Sequence, residues 1–253
     1  MNKLTKSVLL AAGLTLATQA AQAANNDLLL GFSGGGAGND YMINLGNALT
    51  VVGVGGTTVV DLSADFNLTT FNSVFTGGAN GVNMGVGGGT GSLNPVTFYT
   101  VARSGGAGDP ATPGSTKPGN QTPSNASATA LFFSQPLNGY PGLATAGGSA
   151  TPLTSDLNSW TTTIQGPTGL AGQQGINPSS PISGKSVYED LYQGTKVGSS
   201  EVYKYTGYFT FDLNGASPVL SFTPVPEPSV YGILAGGGVL VLSLRRQFSR
   251  RNA

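Results

Sequence analysis

Residues 201–213 alternate without a break. Val202, Lys204, Thr206, Tyr208, Thr210 and Asp212 share one parity; Tyr203, Tyr205, Gly207, Phe209, Phe211 and Leu213 share the other. Such a run demands a strand, because successive strand side chains leave opposite faces, whereas a helix would scatter the aromatic set around its axis. Asn214-Gly215 then supplies the pair that tolerates the positive φ of a tight hairpin, and residues 219–223 are expected to return alongside. The chain is thereby committed to antiparallel sheet with an aromatic core face.

The rest of the middle repeats this signature in shorter pieces. Residues 28–32, 41–45, 57–62 and 96–102 are rich in aliphatic, β-branched and aromatic side chains and are expected as strands. Residues 34–40 and 85–91 are glycine clusters and are expected as a turn and a loop. The 40 glycines are about twice the usual ~7% share, and the 9% of charged residues compares with an ordinary ~25%. Both suit short strands joined by tight turns. Residues 104–128 change character: Pro110, Pro113, Pro118 and Pro123 among Ser, Thr, Gly and Asn, with two charges, predict a long exposed loop, either bare or carrying O-linked sugar. Residues 129–134, with Leu131-Phe132-Phe133, read as a buried strand, and 139–152 as turns. Residues 155–164 read as a short helix capped by Ser155, although Trp160-Thr161-Thr162-Thr163-Ile164 is strand-like. Residues 186–193 read as a helix with Val187, Tyr188 and Leu191 on one face. The expected fold is mainly β: a single sandwich or jelly-roll-like domain over residues 24–223, with long Gly/Ser/Pro loops.

Two absent residue types exclude chemistry. Without Cys there is no disulfide and no thiolate; without His there is no Ser-His-Asp triad, Cys-His pair or HExxH zinc site. The formal charge of zero conceals an asymmetry. Lys3, Lys6, Arg245, Arg246, Arg250 and Arg251 lie near the ends, leaving five basic and ten acidic residues in 24–223, a net of −5. No basic stripe is present, so a nucleic-acid partner is not expected.

The two ends read as addresses. In residues 1–23, Lys3 and Lys6 precede an apolar run at 8–17, and Ala21-Gln22-Ala23 forms a small-x-small cleavage site; this order predicts a secretory signal helix removed after Ala23. Near the other end, Pro226-Glu227-Pro228 is followed by an apolar run at 230–244 and then Arg245, Arg246, Arg250 and Arg251. The run is short against the ~20 residues of an ordinary span, but the arginines would hold its end on the cytoplasmic side. The prolines would keep an extended stretch just outside the membrane. Residues 224–253 resemble the PEP-CTERM sorting tail of bacterial exported proteins. The resemblance implies processing by an exosortase, an integral membrane enzyme, in bacteria that make exopolysaccharide and biofilm matrix. Residues 27–32, 40–46 and 207–211 are similar, more loosely, to the ectodomains of uncharacterised PEP-CTERM proteins, which implies no activity and no site residues.

No motif in the middle assigns a catalytic residue, a metal ligand or a cofactor. Gly184-Lys185-Ser186 resembles the end of a phosphate loop, but Ser179 stands where that loop needs glycine. Asp61 with Asp65, and Glu189 with Asp190, are the local carboxylate pairs a glycosidase would need to bring across a cleft. Asp61, Asp65 and Asn67 offer oxygens to calcium without matching a known calcium loop. Trp160, Tyr203, Tyr205 and Tyr208 are stacking surfaces for a sugar ring or, alternatively, core. The expectation is a non-enzymatic envelope or extracellular-matrix protein. Its partners are the export machinery, signal peptidase, an exosortase-type enzyme and exopolysaccharide, and it passes through the inner membrane transiently. The alternatives are a carbohydrate-binding module and a His-free secreted hydrolase.

Overall fold

The computed structural model describes residues 26–52, 58–90, 96–104, 107–108, 111–118, 123–174, 178–182, 186–213 and 217–225. The signal helix expected in 1–23, the tail from Pro226 onward and the Asn214-Gly215 turn lie outside the described residues. What is described is mainly β, as expected. Strands β1 (Asp27–Gly34), β2 (Tyr41–Asn47), β3 (Val60–Asp61), β4 (Val82–Thr90), β5 (Val96–Ala102), β6 (Ser149–Ala150), β7 (Ser180–Ile182), β8 (Val187–Val197), β9 (Ser200–Asp212) and β10 (Val219–Pro224) join helices α1 (Ala48–Val52), α2 (Leu68–Val74), α3 (Pro123–Gly139) and α4 (Leu170–Gln174).

The strands form one antiparallel sheet in the order β3-β10-β9-β8-β5-β4-β1-β2-β6, with β7 added to β4. This corrects the expectation of a two-sheet sandwich or jelly roll. The sheet makes its second layer by curling. Phe32 on β1 and Phe211 on β9 have ring centroids 5.1 Å apart. With β4, β5 and β8 between them, a flat sheet would hold those strands about 19 Å apart. The result is a half-barrel whose concave side is filled by Phe32, Phe98, Phe209 and Phe222, together with Phe66, Phe71 and Phe75 from the α2 segment. The convex side is covered by α3, the turn carrying Trp160, and α4, over Leu29, Met42, Tyr99, Tyr192 and Tyr203. Since both faces are covered, Leu28, Leu29 and Leu30 are all fully buried.

Residues 85–91 correct the loop expectation, since 85–90 lie in β4, at the centre of the sheet. A Cβ on Gly87 would lie 2.0 Å from the Phe133 ring, and one on Gly85 2.1 Å from the Pro178 carbonyl oxygen. On β1, a Cβ on Gly31 would lie 2.0 Å from the Trp160 ring. The glycines form a floor onto which the convex layer is pressed, while Met84 and Val86, of opposite parity, face the concave core.

Four further expectations are corrected. Residues 129–134 belong to α3: Ala130, Phe133 and Leu137 are buried at helical spacing while Leu131 is 56% exposed. Residues 187–193 are strand β8, not helix; Val187, Glu189 and Leu191 face the concave core at period two. The charged residue at an inward position hid the alternation. Around Trp160 a helical turn does form, at Thr161–Gln165, but Ser155 does not cap it. Ser159 Oγ accepts the Thr162 N–H at 3.1 Å, and Asp40 accepts the Thr161 N–H and hydroxyl, each at 2.7 Å. Of the strand expected at 57–62, only Val60–Asp61 is β3, and residue 57 lies outside the described residues.

β9 keeps its alternation but not its single aromatic face. Opposite β8, Leu191 pairs Gly207 while Tyr192 pairs Tyr205, so Thr206 is an extra residue. This bulge reverses the parity of β9. Tyr203 packs on the convex side, and Phe209 and Phe211 pack in the concave core.

Candidate functional site

Pro226, Glu227, Pro228, Arg245, Arg246, Arg250 and Arg251, expected to direct sorting, and Ala21 and Ala23, expected at a cleavage site, lie outside the described residues. The fold does show the residues that directly precede Pro226. β10 pairs with β9 up to Pro224 opposite Gly207, and the Val225 N–H donates to the Thr206 carbonyl at 2.9 Å. Val225 immediately precedes Pro226, so the β9 bulge holds the residue that follows β10.

The aromatic residues named as sugar platforms are core. Trp160 is fully buried, Tyr203 and Tyr208 are buried, and Tyr205 is half-buried with its hydroxyl accepting from Arg103 at 2.9 Å. No aromatic side chain among the described residues is in the exposed class. One of the two carboxylate pairs is not a pair. Glu189 and Asp190 are neighbours on a strand and leave opposite faces of the sheet. Asp61 accepts the Ser63 N–H at 2.9 Å, and Asn67 caps α2 by accepting the Thr70 N–H at 3.0 Å, so both spend an oxygen on local structure. Among the described residues no three acidic side chains gather where a metal would bind. Gly184 and Lys185 are outside the described residues, and Ser186 Oγ donates to Asp212 at 2.8 Å.

Sequence reasoning missed the polar cluster on the convex face. Asp190, fully buried, takes Arg103 Nη1 at 2.5 Å and the Ser115 N–H and hydroxyl at 2.7 Å each. Arg103 also donates to the Thr112 carbonyl at 2.9 Å and stacks 4.6 Å over the Tyr208 ring. The 104–128 segment was expected as a long exposed loop, and residues 111–118 do form no helix or strand, with 111–113, 116 and 117 exposed. This loop is pinned to the sheet by the Arg103–Asp190 pair, and the expectation is corrected at residues 123–128, which open α3. A lone Arg and a lone Asp separated by 87 positions leave no local signal.

Beside it lies a second cluster. Glu201, buried, accepts from the Thr97 hydroxyl and, at 2.7 Å, from the Tyr203 hydroxyl. Burial outweighs these bonds and pushes its carboxyl above the ordinary range, and it pushes the Tyr99 and Tyr203 hydroxyls up as well. Across the sheet, burial pushes Glu189 up to about 7. A carboxyl poised there suits proton transfer, but the residue is fully enclosed by the concave core. Asp40 is raised by burial too, against the bonds from Thr161. Among the described residues, no helix is long and apolar enough to cross a membrane. No family model, curated protein or solved structure matches this chain.

Proposed function

We propose that this chain is an exported envelope or extracellular-matrix protein, sorted by its C-terminal tail and acting without catalysis. The observation that carries the reading is the order of segments in the chain. A charged start, an apolar run and Ala21-Gln22-Ala23 stand before β1, and Pro226-Glu227-Pro228, an apolar run and four arginines stand directly after the residue that closes β10. In this reading the unit delivered outside is residues 24–223. Lys3 and Lys6 engage the export machinery, signal peptidase cuts after Ala23, and the apolar tail stalls in the inner membrane with Arg245 and Arg246 inside. Pro226, Glu227 and Pro228 are then presented to an exosortase-type enzyme, and the released domain joins the exopolysaccharide at the cell surface. A non-catalytic role is supported by three of the buried carboxylates, Asp40, Asp190 and Glu201, each of which is engaged by neighbouring protein groups.

The test is the intact mass and terminal peptides of the protein from membrane and extracellular fractions of its host. A species beginning at Ala24, lacking the arginines and found outside the cell is expected, and Glu227→Ala should leave full-tailed protein in the membrane. A membrane-confined species that retains Arg250 and Arg251, or release unchanged by Glu227→Ala, would overturn the reading.

A further inference from the structure

β8 carries Glu189 into the concave core between Val187 and Leu191, where it is fully buried and neither carboxyl oxygen makes a hydrogen bond. The neighbouring hydroxyls are those of Thr100 and Ser180. Thr100 is committed elsewhere: its Oγ accepts the Val86 N–H at 2.9 Å and donates to the Val86 carbonyl at 3.1 Å. Ser180 Oγ is buried with no hydrogen bond of its own.

Ser180 begins β7, whose strand partner among the described residues is β4, through Val82, Asn83 and Met84. This is the stretch where β4 has parted from β5, since their pairing covers only Gly87–Thr90 with Val96–Tyr99. β7 therefore closes a split in the sheet directly over Glu189. It does so with three residues, of which Pro181 has no N–H to give the ladder.

No counter-charge faces the carboxyl from the described residues. β4 presents Val82, Met84 and Val86; β5 presents Phe98 and Thr100; β7 presents Ser180 and Ile182; β9 presents Phe209 and Phe211. On β8 itself Tyr188 and Asp190 leave by the other face, and Arg103, just past the end of β5, is held there by Asp190. Residues 183–185, Lys185 included, lie outside the described residues.

We propose that Glu189 is a protonation-operated latch on β7: with the carboxyl neutral, β7 closes the split between β4 and β5, and with the carboxyl ionised, β7 leaves β4 and admits water to it. An ionised carboxylate without partner or water is the most costly group an apolar core can hold. The cheapest relief is to open the neighbouring element with the fewest hydrogen bonds. Burial raises Glu189 from its ordinary 4.5 to about 7, which supports switching near neutral pH. Opening then rises about tenfold per pH unit between those values and levels off above them.

The experiment is amide exchange on the full chain from pH 5 to 8, corrected for the intrinsic pH dependence of exchange. Protection of Met84, Ser180 and Ile182 should fall about tenfold per unit up to about pH 7, while the amides of the β9–β10 pair keep theirs. Glu189→Gln should flatten the dependence. Protection that ignores pH, the same slope in Glu189→Gln, or an equal loss across the whole sheet would overturn the latch. A second measurement uses the wild-type chain labelled with 13C at the glutamate carboxyls. There are three, Glu189, Glu201 and Glu227, assigned with Glu201→Gln and Glu227→Gln. The Glu189 signal should titrate together with the loss of protection; titration near the ordinary glutamate value would sink the proposal.

Discussion

At the scale of single residues, the glycines of β4 carry more of the fold than their size suggests. Gly87 and Gly31 are the points where Phe133 and Trp160 meet the sheet, with no room for a methyl group. Gly87→Ala should therefore lower unfolding free energy by about 1–3 kcal/mol, the range for overpacking a well-filled core. Phe133→Leu in the same chain should recover part of the loss, and urea denaturation of the single and double variants checks both. In the sequence this stretch is indistinguishable from a glycine loop, because a glycine needed for positive φ and one needed for close approach are written with the same letter. Neither Gly85 nor Gly87 has a positive φ; what they lack is a side chain to obstruct α3 and Pro178.

At the scale of elements, the bulge at Thr206 decides what β9 does. Gly207 has φ +145°, and a Cβ there would lie 2.2 Å from the Thr223 carbonyl oxygen of β10. Gly207→Ala should cost about 2 kcal/mol or more, combining strained backbone with a clash. It should first expose the amides of Thr223 and Val225, read by hydrogen exchange, while the β8–β9 pairing persists. The strand itself was legible from its alternation, and so were β5, which spans Val96–Ala102 as expected, and the return of β10. Two elements were not, and β9 was legible as a strand but not in its faces. In α3, Leu131-Phe132-Phe133 looked like a strand because a short apolar run carries no period. In β8, Glu189 broke the inward apolar series. In β9 the bulge left the alternation of letters intact while reversing which face they reach.

For the whole molecule, buried carboxyls set the response to pH. Asp40, Glu189 and Glu201 are all raised by burial. An acid whose folded pKa exceeds its unfolded value holds its proton more firmly in the fold, so its stabilising effect is complete below the unfolded value and is lost as pH rises through the folded one. For Glu189 that window runs from 4.5 to about 7. Its contribution should be at most about 3 kcal/mol, capped by the cost of opening β7. Urea midpoints should fall from pH 5 to pH 8, and Glu189→Gln should remove much of that fall. A midpoint that rises over this interval would contradict the assignment of these groups as net destabilised anions.

The letters alone determined the class of the fold, the antiparallel pairing of its last two strands, the exclusion of thiol and histidine chemistry, and the two end segments on which the sorting proposal rests. These follow from local rules: period two, the hairpin turn pair, and the order of charge and apolar runs. Tertiary structure decided the rest. It made one curled sheet where two facing ones were expected, turned a glycine loop into a central strand, and buried the aromatics that resembled a sugar platform. It also joined Arg103 to Asp190 across 87 positions and separated Glu189 from Asp190 by the thickness of the sheet. The physical reason is the same in each case: which face a side chain reaches, and what covers that face, depends on partners far away in sequence.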